Sequence, residues 1–167
     1  EKVQALEASF KENPKDKNLQ ENLKKAVKEK VEAEIQEYQM QTKEQPTDYK
    51  LKFKLGEALF RGGRFDDAIE NFQLAVKDPG NKNFALNYMG QAFMKKKDYS
   101  SAEGQFQSVL KSISNKDPIY KDAMYNLGFC FELSGKKDEA IKNYNEIYNI
   151  DIKFKDVDSR LKNLKAS

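Results

Sequence analysis

Between Lys50 and Phe60 the apolar residues fall at helical spacing, with Leu51, Leu55 and Leu59 on one side of the segment. Gly62-Gly63 interrupts the pattern, as a left-handed residue does at a helix C-terminus. The pattern resumes at Asp66-Asp67, carboxylates that suit the positive end of a helix dipole. It continues through Ala68, Phe72, Ala75 and Val76, and Asp78-Pro79-Gly80 stops it. The stretch predicts two helices folded back on each other, and the same pattern then recurs. Leu55-Gly56-Glu57-Ala58-Leu59-Phe60 is echoed by Met89-Gly90-Gln91-Ala92-Phe93-Met94 and by Leu127-Gly128-Phe129-Cys130-Phe131-Glu132. Each is followed by an alanine (Ala68, Ala102, Ala140) with an aromatic four residues on (Phe72, Phe106, Tyr144). Glycines, alanines and aromatics are all 34 and then 38 residues apart. One insertion between Phe106 and Gly128 accounts for all three, and the polar run Ser112–Pro118 is the place for it. Gly56 and Ala68 let two helices approach closely while the aromatic fills the gap beside them. Ala58, Ala92 and Cys130 share one equivalent site with room only for a small side chain, so Cys130 reads as a buried apolar residue and not a nucleophile.

These residues resemble the tetratricopeptide repeat, a 34-residue helical pair with the signature Trp-x2-Leu-Gly-x2-Tyr…Ala-x3-Phe…Pro. The resemblance covers Thr47 to Ile152. It departs at the tryptophan site, held here by Lys52, Leu86 and Met124. The closing proline stands at Pro79 after the first repeat, at Pro118 beyond the insertion in the second, and is absent after the third. The resemblance implies an all-α, right-handed superhelical solenoid with repeats at residues 47–80, 81–118 and 119–152. The Lys-rich, sparsely decorated repeats resemble bacterial members of the family.

Both flanks extend the pattern. In Lys155–Ala166, Val157, Leu161 and Leu164 recur at helical spacing where another first helix would begin, but Lys162 stands at the glycine site. Residues 153–167 are therefore expected to be a capping helix that closes the solenoid. At the other end, Pro14 and Pro46 each match the proline that ends a repeat, and Leu6, Ser9, Phe10 and Pro14 fit a second helix. Residues 1–14 are then part of an earlier repeat, with Glu1 inside it, and the chain reads as a piece of something larger. Between the prolines, residues 15–46 hold no glycine or turn signal. Leu19, Leu23, Val27, Val31, Ile35 and Tyr38 form a narrow stripe, expected either as one long helix or as a degenerate hairpin. Such a seam permits docking on the first repeat or coiled-coil pairing between copies.

Composition removes chemistry rather than adding it. The 167 residues contain no histidine, which takes away the commonest general base and metal ligand, and a single cysteine, which excludes an internal disulfide. The glycines are spent on hairpin sites, so no phosphate loop is present. No enzyme activity, metal, cofactor or small-molecule substrate is expected, and no apolar run is long enough to span a bilayer. Charged residues are 34% of the chain but nearly cancel, to a net +3. The basic clusters Arg61/Arg64, Lys95-Lys96-Lys97 and Lys136-Lys137 fall at hairpin turns and are each followed by acids. A solvated edge fits that better than a nucleic-acid or anionic-lipid surface, which would want basic residues without interleaved acids. A lone buried cysteine suits cytoplasm and periplasm alike, the cytoplasm being the slightly better fit.

In the tetratricopeptide family the ligand lies in the concave groove lined by first helices. Carried onto this sequence, the positions facing it are Lys50, Phe53, Glu57 and Phe60; Phe84, Asn87, Gln91 and Met94; and Asp122, Tyr125, Phe129 and Leu133. The resemblance thus implies a module that binds another protein or peptide, as a scaffold or assembly factor, along a wall of aromatic residues. The opposing expectation is that these residues pack against neighbouring repeats, Phe60 and Leu133 first. If the wall is free, replacing Phe53, Tyr125 and Phe129 together by alanine removes binding and spares stability. Family members that grip the acidic tails of heat-shock chaperones clamp a carboxylate with basic residues. The matching positions here, Phe53, Glu57, Tyr88, Asp122 and Asn126, include no base, which excludes that clamp. A structural spacer that self-associates through the long N-terminal helix is the alternative function, and a basic-edge binder the third.

Overall fold

The structure, a computed structural model, describes residues 2–166; Glu1 and Ser167 of the two flanking segments lie outside it. Among the described residues the regular elements are all helices: α1 (Lys2–Glu12), α2 (Lys17–Glu44), α3 (Tyr49–Arg61), α4 (Phe65–Ala75), α5 (Lys82–Lys95), α6 (Tyr99–Ser112), α7 (Tyr120–Leu133), α8 (Lys137–Ile150) and α9 (Val157–Ala166). Their starts follow local chemistry. The side chains of Asp16, Asp48 and Asp98 accept hydrogen bonds from first-turn amides of α2, α3 and α6. In α4 and α8, which no side chain caps, Asp66-Asp67 and Asp138-Glu139 occupy the first turn. The hairpin turns need a left-handed residue. Gly63 and Gly135 supply it at φ +76° and +79°, and Lys97 takes the equivalent place at φ +63° despite its side chain.

Three hairpins, α3–α4, α5–α6 and α7–α8, stack in order, each second helix packing on the next first helix. A Cβ on Gly56, Gly90 or Gly128 would lie 2.7, 2.5 or 2.9 Å from the ring of Phe72, Phe106 or Tyr144. Those rings are fully buried, as are Ala58, Ala92 and Cys130 at the small-residue site. The glycine thus sets the helix separation, and the aromatic uses the room it leaves. The extra residues between α6 and α7 form the loop 113–119, anchored by buried Ile119 beside Val109 and Ala123. Successive first helices also touch one another, α3 on α5 and α5 on α7, while the second helices splay apart. That asymmetry curves the stack and puts the first helices on its inner, concave side.

Residues 17–44 form one continuous helix with no break, about 42 Å long at 1.5 Å per residue. Its i, i+4 stripe does not run straight, because four residues advance about 400° and the stripe drifts about 40° per step. Leu19 and Leu23 lie half-buried in the half of α2 that packs with α1, where Lys2 pairs with Glu29 at 3.2 Å. Val31 and Ile35 have rotated onto α3 and join its core. Val27, at the crossover, is 39% exposed, and Met40, on the far side from α3, is 65% exposed. The two halves of the seam thus face different helices of the same chain, α1 and α3, with Leu19, Leu23 and Val27 still partly exposed.

Candidate partner-binding groove

The positions expected to face a ligand are where successive repeats meet. Two residues before each glycine site stands a side chain from the next first helix: Tyr88, Asn126 and, before Lys162, Arg160. Each wedges against the inward positions of the preceding repeat.

At the first junction Tyr88 stacks on Phe72, with centroids 5.3 Å apart and planes 12° from parallel. Phe53 and Phe60 meet its edge at 5.9 and 5.6 Å, Phe53 also touches Phe72, and Phe60 touches Phe65. Burial, then the Glu57 carboxylate beside it, push the Tyr88 phenol above its ordinary pKa. Phe53 and Phe60 are therefore packing residues. At the second junction Asn126 donates through Nδ2 to Oδ1 of buried Asn87, at 3.1 Å. Gln91 is half-buried beside it, and Met94 packs on the core of the third repeat.

The last junction is charged. The Arg160 guanidinium lies 4.4 Å from the ring centre of Phe129 and 5.6 Å from that of Tyr125. It donates from Nη1 to Glu132 at 2.9 Å, and from Nε to the Tyr125 hydroxyl at 3.0 Å and to Asp156 at 3.1 Å. The Tyr125 hydroxyl donates onward to Asp156 at 2.6 Å, and the Tyr144 hydroxyl to Glu132 at 3.0 Å. Lys155 sits 4.4 Å over Tyr125 and pairs with Asp122 at 2.7 Å, while Phe154 meets the Tyr125 ring edge-on. Burial opposes the charges here. Even so, hydrogen bonds from Tyr125 and Arg160 hold Asp156 below the usual carboxylate range, and bonds to Glu132, Asp156 and Tyr125 keep Arg160 cationic.

Two expectations change accordingly. Phe53, Tyr125 and Phe129 are half-buried and engaged, so replacing all three by alanine removes packing and ring contacts instead of isolating a binding surface. Leu133 does not pack and is 44% exposed; the residue in register with Phe60 and Met94 is Glu132, which turns in toward Arg160. Counting 38 from Met94 finds Glu132 in the sequence. Arg160 has no such signal, since Tyr88 and Asn126 share no side-chain chemistry with it. What stays open on the inner face is Phe84, 46% exposed and without a ring partner among the described residues, together with Lys50 and part of Gln91.

Four of the seven cations at the basic turns are paired as well. Arg61 pairs with Glu34 at 2.6 Å, Arg64 with Asp67 at 2.7 Å and Lys136 with Glu103 at 2.7 Å, and Lys96 pairs with Asp66. The Cys130 thiol donates to the carbonyl of Tyr99, and burial, with Glu103 adding to it, raises its pKa to about 11, so thiolate is scarce at neutral pH. Among the described residues no three His, Cys, Asp or Glu side chains gather as metal ligands, and no helix is long and apolar enough to cross a membrane.

A family model described as tetratricopeptide repeat matches residues 38–82 and 89–153. The solved structure of MamA superposes with a TM-score of 0.71 at 24% identity, covering 85% of this chain and 81% of that one. The first TPR of Spaghetti (RPAP3), bound to the HSP90 peptide SRMEEVD, superposes at 0.63 with 16% identity over 71% and 90%. The second TPR domain of human RPAP3, in complex with the HSP70 peptide SGPTIEEVD, does so at 0.59 with 20% identity over 68% and 92%. At these identities the likeness is one of fold. No curated protein sequence matches the chain.

Proposed function

Because the chain belongs to the tetratricopeptide-repeat family, we propose that it is a protein-recognition module that takes a peptide or partner segment on its concave face, within a scaffold or assembly. The observation that carries this reading is Phe84. A phenylalanine 46% exposed on the inner surface, with the half-buried amide of Gln91 on the same helix face, is an unused anchor of the kind that dominates binding energy. The peptides held by the RPAP3 domains are not carried over to this chain. The positions matching a carboxylate clamp are Phe53, Glu57, Tyr88, Asp122 and Asn126, and none is basic. The open strip instead offers one ring, one amide and the Lys50 ammonium, suited to a segment with an apolar side chain.

Selecting binders from a displayed peptide library on the intact chain tests this. Peptides so selected lose at least tenfold in affinity on Phe84→Ala, with helicity and melting temperature unchanged. Binders indifferent to Phe84→Ala would place the working surface elsewhere.

A further inference from the structure

We propose that Tyr125, Phe129 and Glu132 form an arginine-recognition site, which Arg160 of the same chain fills until an arginine-bearing segment of a partner displaces it. The inference rests on the concave face being the partner surface and names the chemistry of its third repeat.

The three junctions carry the argument. If the wedge position only had to fill space, its chemistry would be neutral throughout, as Tyr88 and Asn126 are. The first socket also sets a carboxylate, Glu57, beside two rings but takes a neutral phenol. The third is the one that holds a planar cation, with rings that attract it face-on and Glu132 taking an N–H. Asp122 adds a second carboxylate at the rim, already holding Lys155. The occupant's other anchors are the ion pair of Arg160 with Asp156 and the packing of Phe154, Val157, Leu161 and Leu164 on the adjoining core. Helix α9 has ten residues, of which Val157 and Leu161 are buried, and a helix so short has little stability of its own. The segment leading into it holds Lys155 in the left-handed region at φ +48°, a conformation unfavourable for a lysine, and that same lysine is seated over Tyr125. A partner that supplies its own arginine recovers the ring and carboxylate contacts while letting that backbone relax.

The test uses the full chain with Arg160→Met, which keeps a side chain over the rings but removes the cation, and a synthetic peptide of residues 151–166 as the probe. By titration calorimetry and amide NMR, Arg160→Met is expected to bind the peptide at least tenfold more tightly than the wild type, whose own Arg160 competes. Shifts should centre on Tyr125 and Phe129, and the same peptide carrying Arg160→Ala should bind at least tenfold more weakly. Equal binding of both peptides would overturn the proposal, because the socket would then read the apolar face of the helix. A folded variant that binds neither would reduce Arg160 to a cap. Unfolding of the third repeat in both Arg160→Met and Arg160→Lys would likewise make it a structural element. A wild-type mass that rises with concentration, and no longer does so in Arg160→Met, would overturn partner displacement in favour of exchange between copies. Peptides lost on Phe84→Ala yet indifferent to Arg160→Met would uphold the groove and sink only this site.

Discussion

The first and last junctions of the stack solve one geometric problem with opposite chemistry. Between the first two hairpins, Tyr88 enters a socket of Phe53 and Phe60 and lies flat on Phe72, so the contact is mainly aromatic, with the Glu57 carboxylate beside the phenol. Between the third hairpin and α9, Arg160 enters the equivalent socket of Tyr125, Phe129 and Glu132 and is held by carboxylates and ring faces. The register is the same, while the side chain that fills it changes from a phenol to a guanidinium. The difference lies in what stands beyond. Tyr88 stands on the first helix of a further hairpin, whereas Arg160 stands on the single helix α9. Aromatic packing persists in salt and acid, and an ionic latch weakens in both.

The most severe way to break the first junction is Phe72→Ala, which removes the fully buried ring beneath both Tyr88 and Gly56. It should cost about 3–5 kcal/mol in denaturant unfolding. Gly90→Ala probes the spacing within a hairpin. Alanine ordinarily favours a helix over glycine by about 1 kcal/mol, but here its Cβ would fall 2.5 Å from the buried ring of Phe106. A net loss of about 1–3 kcal/mol is expected, and a gain would show that the helices can separate without cost. Lys97→Gly, remote from both junctions, should relieve a left-handed lysine and stabilise the chain by about 0.5–1 kcal/mol while leaving the salt response of α9 as it was. The smallest effect belongs to the latch. Raising salt should loosen α9 by a few tenths of a kcal/mol, read as faster amide exchange at Leu161, with α5 unmoved. Acid should do the same with a definite sign. Lys121 holds Asp151 below its ordinary pKa, and Tyr125 and Arg160 do so for Asp156 against burial. Their contribution is therefore complete above the ordinary Asp value and is lost as pH falls through the lower folded values.

The hairpins were legible in the sequence because the glycine and the aromatic that fills its space must recur together, and 34- and 38-residue spacings carry that constraint openly. The long helix was legible from its lack of any breaker. Its packing was less so, since a stripe drawn on paper hides the drift that takes Leu19 to α1 and Ile35 to α3. The groove was read least well. Phe53 and Phe129 look like ligand anchors until the side chain from the following repeat is seen against them. That side chain is a phenol, an amide or a guanidinium, with only its register in common. Leu133 was placed one residue out of that register, and the left-handed backbone at Lys155 has no marker in its residue type.

The wedge and its socket always belong to different repeats, and this bears on how such a chain can change in length. Copying residues 81–118 would set a second Tyr88 against Asn87, Gln91 and Met94 instead of the aromatic socket. Copying the first hairpin would offer Lys54 to Phe53 and Phe60, and copying the third would offer Asn126 to a socket made for Arg160. Every single duplication leaves one mismatched seam. A duplication within these three hairpins would therefore pack well only with compensating changes at the new seam.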